Sequence, residues 1–496
     1  VEQLDTEDFN QLDATASNIY ADHFQVPIKS VSWYHTGASF KDKKLSDAFA
    51  AEYYQNPSIE QPIEGTILPN DLPNEAYHEA FRACKGLLLR QEVYSLDTDN
   101  PKHEHPYQCT ESCYKIQVIQ PHKGQKYASF ISVPIQSMSY GYERNPQDPR
   151  IQQNLVLETD SYGIPTQTAS IIYPRINRPI APWMVQNEQA KTHATYTKIS
   201  LTEDVWEANS YRLRTGYEEQ IYEILGLNWV YLDAYYTPNT FKALLDDPNT
   251  NEIGFEQDHT GTGLQKRLSG HGKIKFLSND LTTVLNFGFQ DSLGFPYQSY
   301  QLVSTPKLRD QLYDAGAGNL LASANLDQAS SSFYKEFNTD GNWWLPSGTS
   351  VFIPNPSENF YLFSEVKDVA GISTYIEYDP YQLFPISVRD FFDNTTRVEY
   401  DYRVLQPKLI EDPNQNQSVV AFDALGIIVK SAILGKTIAG IPEGDSLLNP
   451  TAVMEYNFFN WKDNQAPNYI YSRVREVHHS QNPVPNPGAW NIFRSF

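Results

Sequence analysis

The sequence predicts a mainly β protein with helical insertions, and three observations carry that prediction. Aromatic residues fill 13% of the 496 positions and are joined by 32 prolines, a composition of strands and turns more than of helix bundles. Long stretches alternate apolar and polar residues with period two, broken by Asn-, Asp- and Pro-rich clusters. The last third repeats itself every 22 residues, at 378, 400 and 422, too short a unit for a domain and the right length for two strands and two turns.

Residues 1–198 read as a β meander. Alternation begins at Gln25–Trp33 and returns at Tyr114–Ile119, Phe130–Val133 and Leu155–Glu158, with turns such as Asn145-Pro146-Gln147-Asp148-Pro149 between runs. A helical insertion is expected at about 44–89, where Asn74 can cap a stripe formed by Tyr77, Phe81, Cys84 and Leu88. Gly86 interrupts that stripe at a cost of about 1 kcal/mol relative to Ala.

Residues 199–340 read as a mixed helical and loop insertion on the β framework. Ser200-Leu201-Thr202-Glu203 has the spacing of a capping box, and Trp206–Leu225 is long enough for one or two helices. Shorter helices are expected at Thr240–Leu245, Lys307–Ala315 and Leu326–Phe337, and Gln257–Lys273 reads as a Gly-rich loop.

From 341 to 496 strands return. Laying 378–399 over 400–421 matches Tyr378 with Tyr400, Asp379 with Asp401 and Leu383 with Leu405. Pro385 pairs with Pro407, Asp390 with Asp412 and Asn394 with Asn416. The third unit opens on Phe422-Asp423 but keeps only Asp423 and an apolar residue at Ile427, so the repeat fades. Short polar side chains at Asp390–Asn394 and Asp412–Asn416 supply turn chemistry by bonding their own backbone. Stacked units would pair edge to edge, each burying its apolar face only against its neighbours.

Charge and motifs narrow the functional classes. Lys and Arg total 38 against 60 Asp and Glu, and 38 − 60 gives −22. A polyanion or an anionic lipid surface is therefore repelled over most of the chain. No run of about 18 apolar residues is present to span a membrane as a helix, and the first residues lack the basic and apolar regions of a signal peptide. Val1 in place of an initiator Met suggests a piece of a longer polypeptide.

His103-x-His105-x3-Cys109-x3-Cys113 is the most metal-like cluster, with four nitrogen and sulfur ligands for a tetrahedral zinc. On a strand, however, residues four apart lie about 13 Å from each other, too far for one metal or one disulfide. Free thiols in a polar setting are the plainer expectation, and Cys84 reads as a small core residue. Gly270-His271-Gly272-Lys273 resembles a phosphate loop only superficially, because Ile274 stands where Ser or Thr is needed. Neither a Gly-x-Ser-x-Gly elbow nor a His-Glu-x-x-His helix occurs, and His478-His479 reads as a solvated loop. No catalytic residue and no cofactor is expected.

The Tyr-Asp repeat resembles the Rhs or YD-repeat family. Trp33-Tyr34-His35-Thr36-Gly37, Leu89–Asp97, Gly341–Gly348 and Glu399–Pro407 look like the middle region of the B component of bacterial insecticidal toxin complexes, the Tc toxins. Ala421–Gly426 and Gly444–Leu447 continue the likeness in order. It implies a spiral YD-repeat β-sheet forming part of a hollow cage, in which Tyr378, Asp379, Tyr400, Asp401, Phe422, Asp423 and Gly426 are structural repeat positions. It also implies a non-enzymatic role: a wall enclosing a C-terminal toxic effector before translocation. The partners implied are the C component that completes the cage, the enclosed effector, and a pore-forming A component docked through an upstream propeller. The implied location is an extracellular, secreted toxin assembly of a bacterium. The acidic excess allows an acidic cavity lining, although the sequence does not assign charge to a face. The alternative from another class is an adhesive YD-repeat shell of the teneurin kind that binds partners outside; a carbohydrate-active enzyme is a weaker third. A strip cut from such a shell should be an open sheet with unpaired edges.

Elemental analysis of the purified protein should find no stoichiometric zinc. About one zinc per chain, lost on replacing Cys109 and Cys113, would overturn the free-thiol expectation.

Overall fold

The computed structural model describes residues 27–480 apart from 39–48, 50, 62, 64, 71, 98–100, 178–181, 231–232, 262, 315–319, 330–332, 338–339 and 439–440, together with 490–495. The chain divides into two compact units, residues 1–345 and 346–496.

The first unit is built on one long sheet. Its strands are β1 (Ile28–Tyr34), β2 (Leu88–Ser95), β3 (Gln108–Gln120), β4 (Ser129–Gly141), β5 (Arg150–Thr159), β6 (Pro165–Ile172) and β7 (His193–Leu201). A small hairpin of β8 (Val205–Glu207) and β9 (Ser210–Arg212) precedes β10 (Gly216–Leu225). The short β11 (Asn251–Ile253), then β12 (Gln265–Phe276), β13 (Pro296–Ser304) and β14 (Trp343–Pro346) complete the unit. The sheet order is β1-β2-β3-β4-β5-β6-β7-β10-β12-β13-β14, with β11 added parallel to β12. The path is open, not a barrel.

Core forms on both faces of this sheet, at different places. One face buries Cys109, Met138, Tyr140, Ile151, Leu155 and Ile171 beneath Trp229 and the helix α3 introduced below. Opposed partners share a face, and Cys109 opposes Tyr140. The other face takes Tyr114 and Ile116 of β3 against Ala80 and Cys84. The last two come from the helix α1 (Asn74–Arg82) and the turn after it.

Helix α1 is shorter than the stripe from Tyr77 to Leu88 suggests. It ends at Arg82, and Gly86 sits beyond it at φ +85°, a left-handed turn that sends the chain into β2. Its N-cap is Pro73, without a side-chain cap bond. The segment 44–48 of the expected insertion lies outside the described residues. Helix α2 (Trp183–Gln189) joins β6 to β7. Helix α3 (Pro238–Asp246) carries the expected Thr240–Leu245 turn, and a reciprocal Thr237/Thr240 capping box starts it.

Five expectations for 199–340 need correction. Trp206–Leu225 is strand, not helix: Tyr222 and Ile224 point into the core while β7 and β12 pair with β10 on both sides. Two ladders of backbone hydrogen bonds and a buried aromatic outweigh the local helix preference of the glutamates. The proposed capping box is absent for the same reason: Ser200, its would-be cap, lies inside β7 opposite Glu218 of β10. Gln257–Lys273 is loop only to Leu264, after which β12 runs through Gly270 and Gly272. A Cβ at Gly270 would meet the Ile221 side chain at 3.4 Å, so the glycine admits close strand contact and forms no anion cradle. Lys307–Ala315 is only a short turn of α4 (Pro306–Arg309) followed by a π-turn (Asp310–Asp314). Among its described residues, Leu326–Phe337 holds no α-helix.

The second unit is a single sheet of eleven antiparallel strands: β15 (Thr349–Phe352), β16 (Phe363–Lys367), β17 (Ser373–Tyr378), β18 (Pro385–Arg389), β19 (Thr395–Asp401), β20 (Gln406–Glu411), β21 (Gln417–Phe422) and β22 (Ile428–Gly435), then β25 (Ala452–Asn457), β26 (Tyr469–Arg475) and β27 (Trp490–Ser495). The two-residue strands β23 (Thr437–Ile438) and β24 (Ile441–Pro442) pair with each other beside it. Neighbours in sequence are neighbours in the sheet, so every connection is a hairpin or a short excursion. In this unit the only buried Ala, Val, Ile, Leu, Met, Cys or aromatic side chains among the described residues are Ala432 and Ala452. It is one layer thick.

Candidate functional site

The repeat resolves into a run of turns opened by aspartate. Asp368, Asp390, Asp412 and Asp423 each accept from the amides two and four residues on, at 2.8–2.9 Å. Each turn carries a left-handed residue at its fourth position: Gly371, Asp393, Gln415 or Gly426, at φ +80°, +63°, +66° and +82°. Asp160 and Gly163 build the same turn between β5 and β6. Asp379 and Asp401 open the turns in between, so an aspartate starts a turn at 368, 379, 390, 401, 412 and 423, every eleven residues. The 22-residue spacing is therefore two strands of one smaller period, which the sequence reading passed over although all six aspartates stand in the open.

The aromatic partner of each Asp sits at a recurring irregularity. Register shifts fall between Glu377 and Tyr378, between Glu399 and Tyr400, and between Ala421 and Phe422. Tyr378 opposes Pro385 and Tyr400 opposes Pro407, while Phe422 opposes Ile428. Proline, with no amide to donate, is tolerated where the ladder is already broken. Tyr400 stacks on Phe384 of the preceding hairpin at 4.4 Å between centroids.

Neighbouring turns are also tied to each other. Asp379 is 2% exposed and accepts from the amides of Tyr381, Leu383 and Phe384. The Tyr402 hydroxyl of the next hairpin donates to Asp379 at 2.7 Å, and Arg403 donates to the Asp423 carbonyl at 2.5 Å. Burial pushes the Asp379 carboxyl up, but these donors outweigh it and hold the group below the usual carboxylate range. The Tyr402 hydroxyl is pushed up to about 12, first by its bond to Asp379.

The metal candidates do not converge. His105 pairs with the Tyr54 hydroxyl at 3.0 Å, and His103 lies in the turn before β3. Cys109 and Cys113 are buried on one face of β3 and form no disulfide, and Cys113 lies 3.5 Å from the Gly65 carbonyl. No group of three or more His, Cys, Asp or Glu suited to a metal occurs among the described residues. His478 is not simply solvated: its Nδ1 is 2.9 Å from Asp445, whose buried carboxylate also accepts from Thr451 at 2.5 Å and the His479 amide at 2.6 Å. Lys273 of the former phosphate-loop candidate lies 4.4–5.1 Å from the ring centroids of Trp344, Phe337 and Phe287. Its ammonium is enclosed by aromatic faces and lies 3.8 Å from Glu218 Oε1, so its charge is already answered within the fold.

The densest charge in the first unit is a buried knot on Arg90. Its guanidinium meets Glu92 at 2.6 Å, Glu60 at 2.8 Å and Glu111 at 3.4 Å, and its side chain is 3% exposed. Arg90 and Glu92 are two apart on β2 and Glu111 is directly opposite Arg90 on β3, so the strand period alone puts them on one face. Glu60 arrives from the loop before α1. Tyr142 donates to it at 2.5 Å, and the Tyr54 amide of the same loop donates to Glu92 at 2.9 Å. Burial pushes Glu60 up and raises Glu111 to about 7, against the pull of Arg90. The knot fastens the loop to the sheet and leaves no open face for a substrate. Sequence reading quoted Leu89–Asp97 only as a likeness; a polar residue at two alternate positions inside an apolar strand was the available signal.

Comparisons with known proteins agree with this architecture. Residues 79–216 match the family described as the insecticide toxin TcdB middle/C-terminal region. The likeness to the Tc toxin B component read from the sequence therefore holds, and the open, mainly β fold is shared with part of the solved Tc toxin structures. Among solved structures, the TcdB2–TccC3 complex superposes with a TM-score of 0.64 at 19% identity, over 95% of this chain and 23% of that one. TcdB2–TccC3 without its hypervariable C-terminal region gives 0.62 at 18% identity, over 95% and 25%. The Photorhabdus luminescens Tc holotoxin pore gives 0.62 at 18% identity, over 95% and 25%. This chain thus spans about a quarter of the length of those it matches. No curated protein sequence matches it closely.

The turns and the knot yield separate tests by chemical denaturation. Gln415→Gly should stabilise by about 1 kcal/mol, because it relieves a left-handed non-glycine residue. Gly426→Ala should destabilise by at least about 1 kcal/mol, since its Cβ would also meet Val404 Cγ1 at 2.8 Å.

Arg90→Met should cost about 3–5 kcal/mol, since it strands buried carboxylates. Glu111 has a folded pKa raised from 4.5 to about 7. Its contribution is full below the unfolded value and is lost as pH rises through 7. Between about pH 5 and 8 the wild type should therefore lose stability, and Glu111→Gln should flatten that slope.

Proposed function

We propose that this chain is a non-enzymatic wall segment of a Tc-type YD-repeat cage that encloses and shields a toxic polypeptide. The carrying observation is the single-layer sheet of the second unit. An ordinary globular unit of that size buries a continuous apolar core, whereas here Ala432 and Ala452 stand alone among the described apolar residues. Such a sheet separates two spaces. Its stability comes from strand pairing, stacked aromatics and side chain–backbone turns, which need no second layer. The fold shared with TcdB2–TccC3 supports a B–C partnership, in which a C component continues the sheet and closes the cavity. An enclosed effector and a pore-forming A component complete the assembly, which acts outside the bacterium.

The test is co-expression with the complementary chain bearing a C-terminal guest. The expected result is a hollow particle by electron microscopy, with a guest that resists protease until the particle is opened. A guest digested as fast as when free, or a solid particle, would overturn the proposal.

A further inference from the structure

Alternate strand pairs of the second unit open as forks. In β16 one residue, Ser364, is skipped by the ladder, because Val351 opposes Glu365 and Phe352 opposes Phe363. Ile386, Lys408 and Val429 are skipped in the same way in β18, β20 and β22. On the other side of these four strands, pairing with the next strand stops at the residue that follows: Glu365, Ser387, Leu409 and Lys430. An extra residue bends the strand that carries it, and the bend parts it from its neighbour. All four forks open toward the edge that carries the turns at 379, 401 and 423.

Three forks are closed by a donor that reaches from one flanking turn to the other. Gln382 donates to Asn359 across the first, the Tyr402 hydroxyl to Asp379 across the second, and Arg403 to the Asp423 carbonyl across the third. The fourth, between β22 and β25, is different. Among the described residues no hydrogen bond joins the turn at 423–427 to the connection at 458–468. β22 and β25 share only the pairs Lys430–Val453 and Ser431–Ala452, while β25 pairs with β26 along its whole length. The space between them is a cavity of about 670 Å³ with an apolar wall of Leu425, Val429, Val453, Met454, Tyr456 and Phe458. Leu425 is 74% exposed at its mouth.

Charge around this cavity is unbalanced by one. Each Asp, Glu, Lys or Arg directly paired in the registers of the second unit falls on one face of the sheet, because opposed residues share a face and successive ones alternate. Lys430, Val453 and Arg473 form one row of that face. Arg473 pairs with Glu455 at 3.3 Å, and the Asp423 carboxylate is taken up by the Leu425 and Ile427 amides of its own turn. Among the described residues the Lys430 ammonium makes no ion pair or hydrogen bond.

We propose that the fourth fork is a docking site for a partner polypeptide, which inserts an aromatic side chain between β22 and β25 and sets a neighbouring carboxylate on Lys430. The site does not depend on the enclosure proposed above. Three observations select this occupant. The other three forks are closed by side chains that a polypeptide turn supplies, so the fourth has the shape such a side chain completes. Its wall is apolar and includes the Tyr456 and Phe458 rings, against which an aromatic ring packs edge-on or offset. Lys430 calls for a single negative charge, whereas a nucleic acid or an anionic membrane would bring many to a chain of net charge −22.

Methionine methyl NMR on the full chain tests this directly, because the sequence holds three methionines and Met454 lines the fork. With carbon-13 methyl labelling, Met454→Leu identifies the signal from the fork, and Met138 in the core and Met184 on α2 serve as internal controls. The peptide acetyl-Gly-Phe-Glu-Gly-amide should shift the Met454 signal saturably and leave the other two in place. The charge-reversed acetyl-Gly-Phe-Lys-Gly-amide and the ringless acetyl-Gly-Ala-Glu-Gly-amide should each need about tenfold more peptide. Lys430→Glu, at an exposed position, should reverse the preference between the two phenylalanine peptides. No saturable shift at Met454 would overturn the site, and a preference unchanged in Lys430→Glu would overturn the charge pairing. 3-Phenylpropionate acting at the same concentration as the glutamate peptide would overturn the polypeptide occupant in favour of a small aromatic acid.

Discussion

A carboxylate accepting from two amides of its own turn is the interaction on which the repeat region depends. A sheet one layer thick has no core to set where each strand ends, so strand length must be set locally. Asp368 and its counterparts do this by closing the chain at fixed intervals, and the left-handed residue that follows turns it back. Because the turns recur every eleven residues from 368 to 423, the ladder stays in phase and residues of like chemistry line up across it. The segregation of charge to one face is a downstream effect of that phase, since a one-residue slip would carry the charged set to the other side.

The first unit solves the same problem by conventional means. There, Trp229, α3 and the loop before α1 cover parts of the sheet, and apolar packing fixes the strands. The Arg90 knot adds a directional constraint. Three carboxylates around one guanidinium exceed its charge, and burial answers by raising the proton affinity of Glu60 and Glu111. A buried network of this kind specifies how the loop lies more than it adds stability.

Much of the architecture was legible in the sequence, and the failures have physical causes. The hairpins at 373–411 followed from alternation and from Asp-rich turns, both local properties. Cys84 read as core and proves buried against Tyr114 and Ile116. The strand β10 did not read as such because Gly216–Leu225 carries three glutamates; its pairing with β7 and β12 is non-local and leaves little local trace. His478 read as solvated because its partner Asp445 lies 33 residues away. The knot escaped notice because Glu60 joins it from 30 residues before Arg90. What the sequence conceals here is contact between distant segments, while what it displays is period.

The irregularity beside Tyr378, Tyr400 and Phe422 bears on how such a wall changes size. Each extra residue adds the same local increment of twist at the same place in every second strand. Duplicating or deleting 22 residues therefore lengthens or shortens the sheet by one pair of strands without changing which edge a turn occupies or which face a side chain meets. An insertion of eleven would reverse the direction of every later strand. Gene duplication in whole units is thus the tolerated route to larger or smaller versions of this architecture, and capacity can evolve by copy number while each repeat keeps its chemistry.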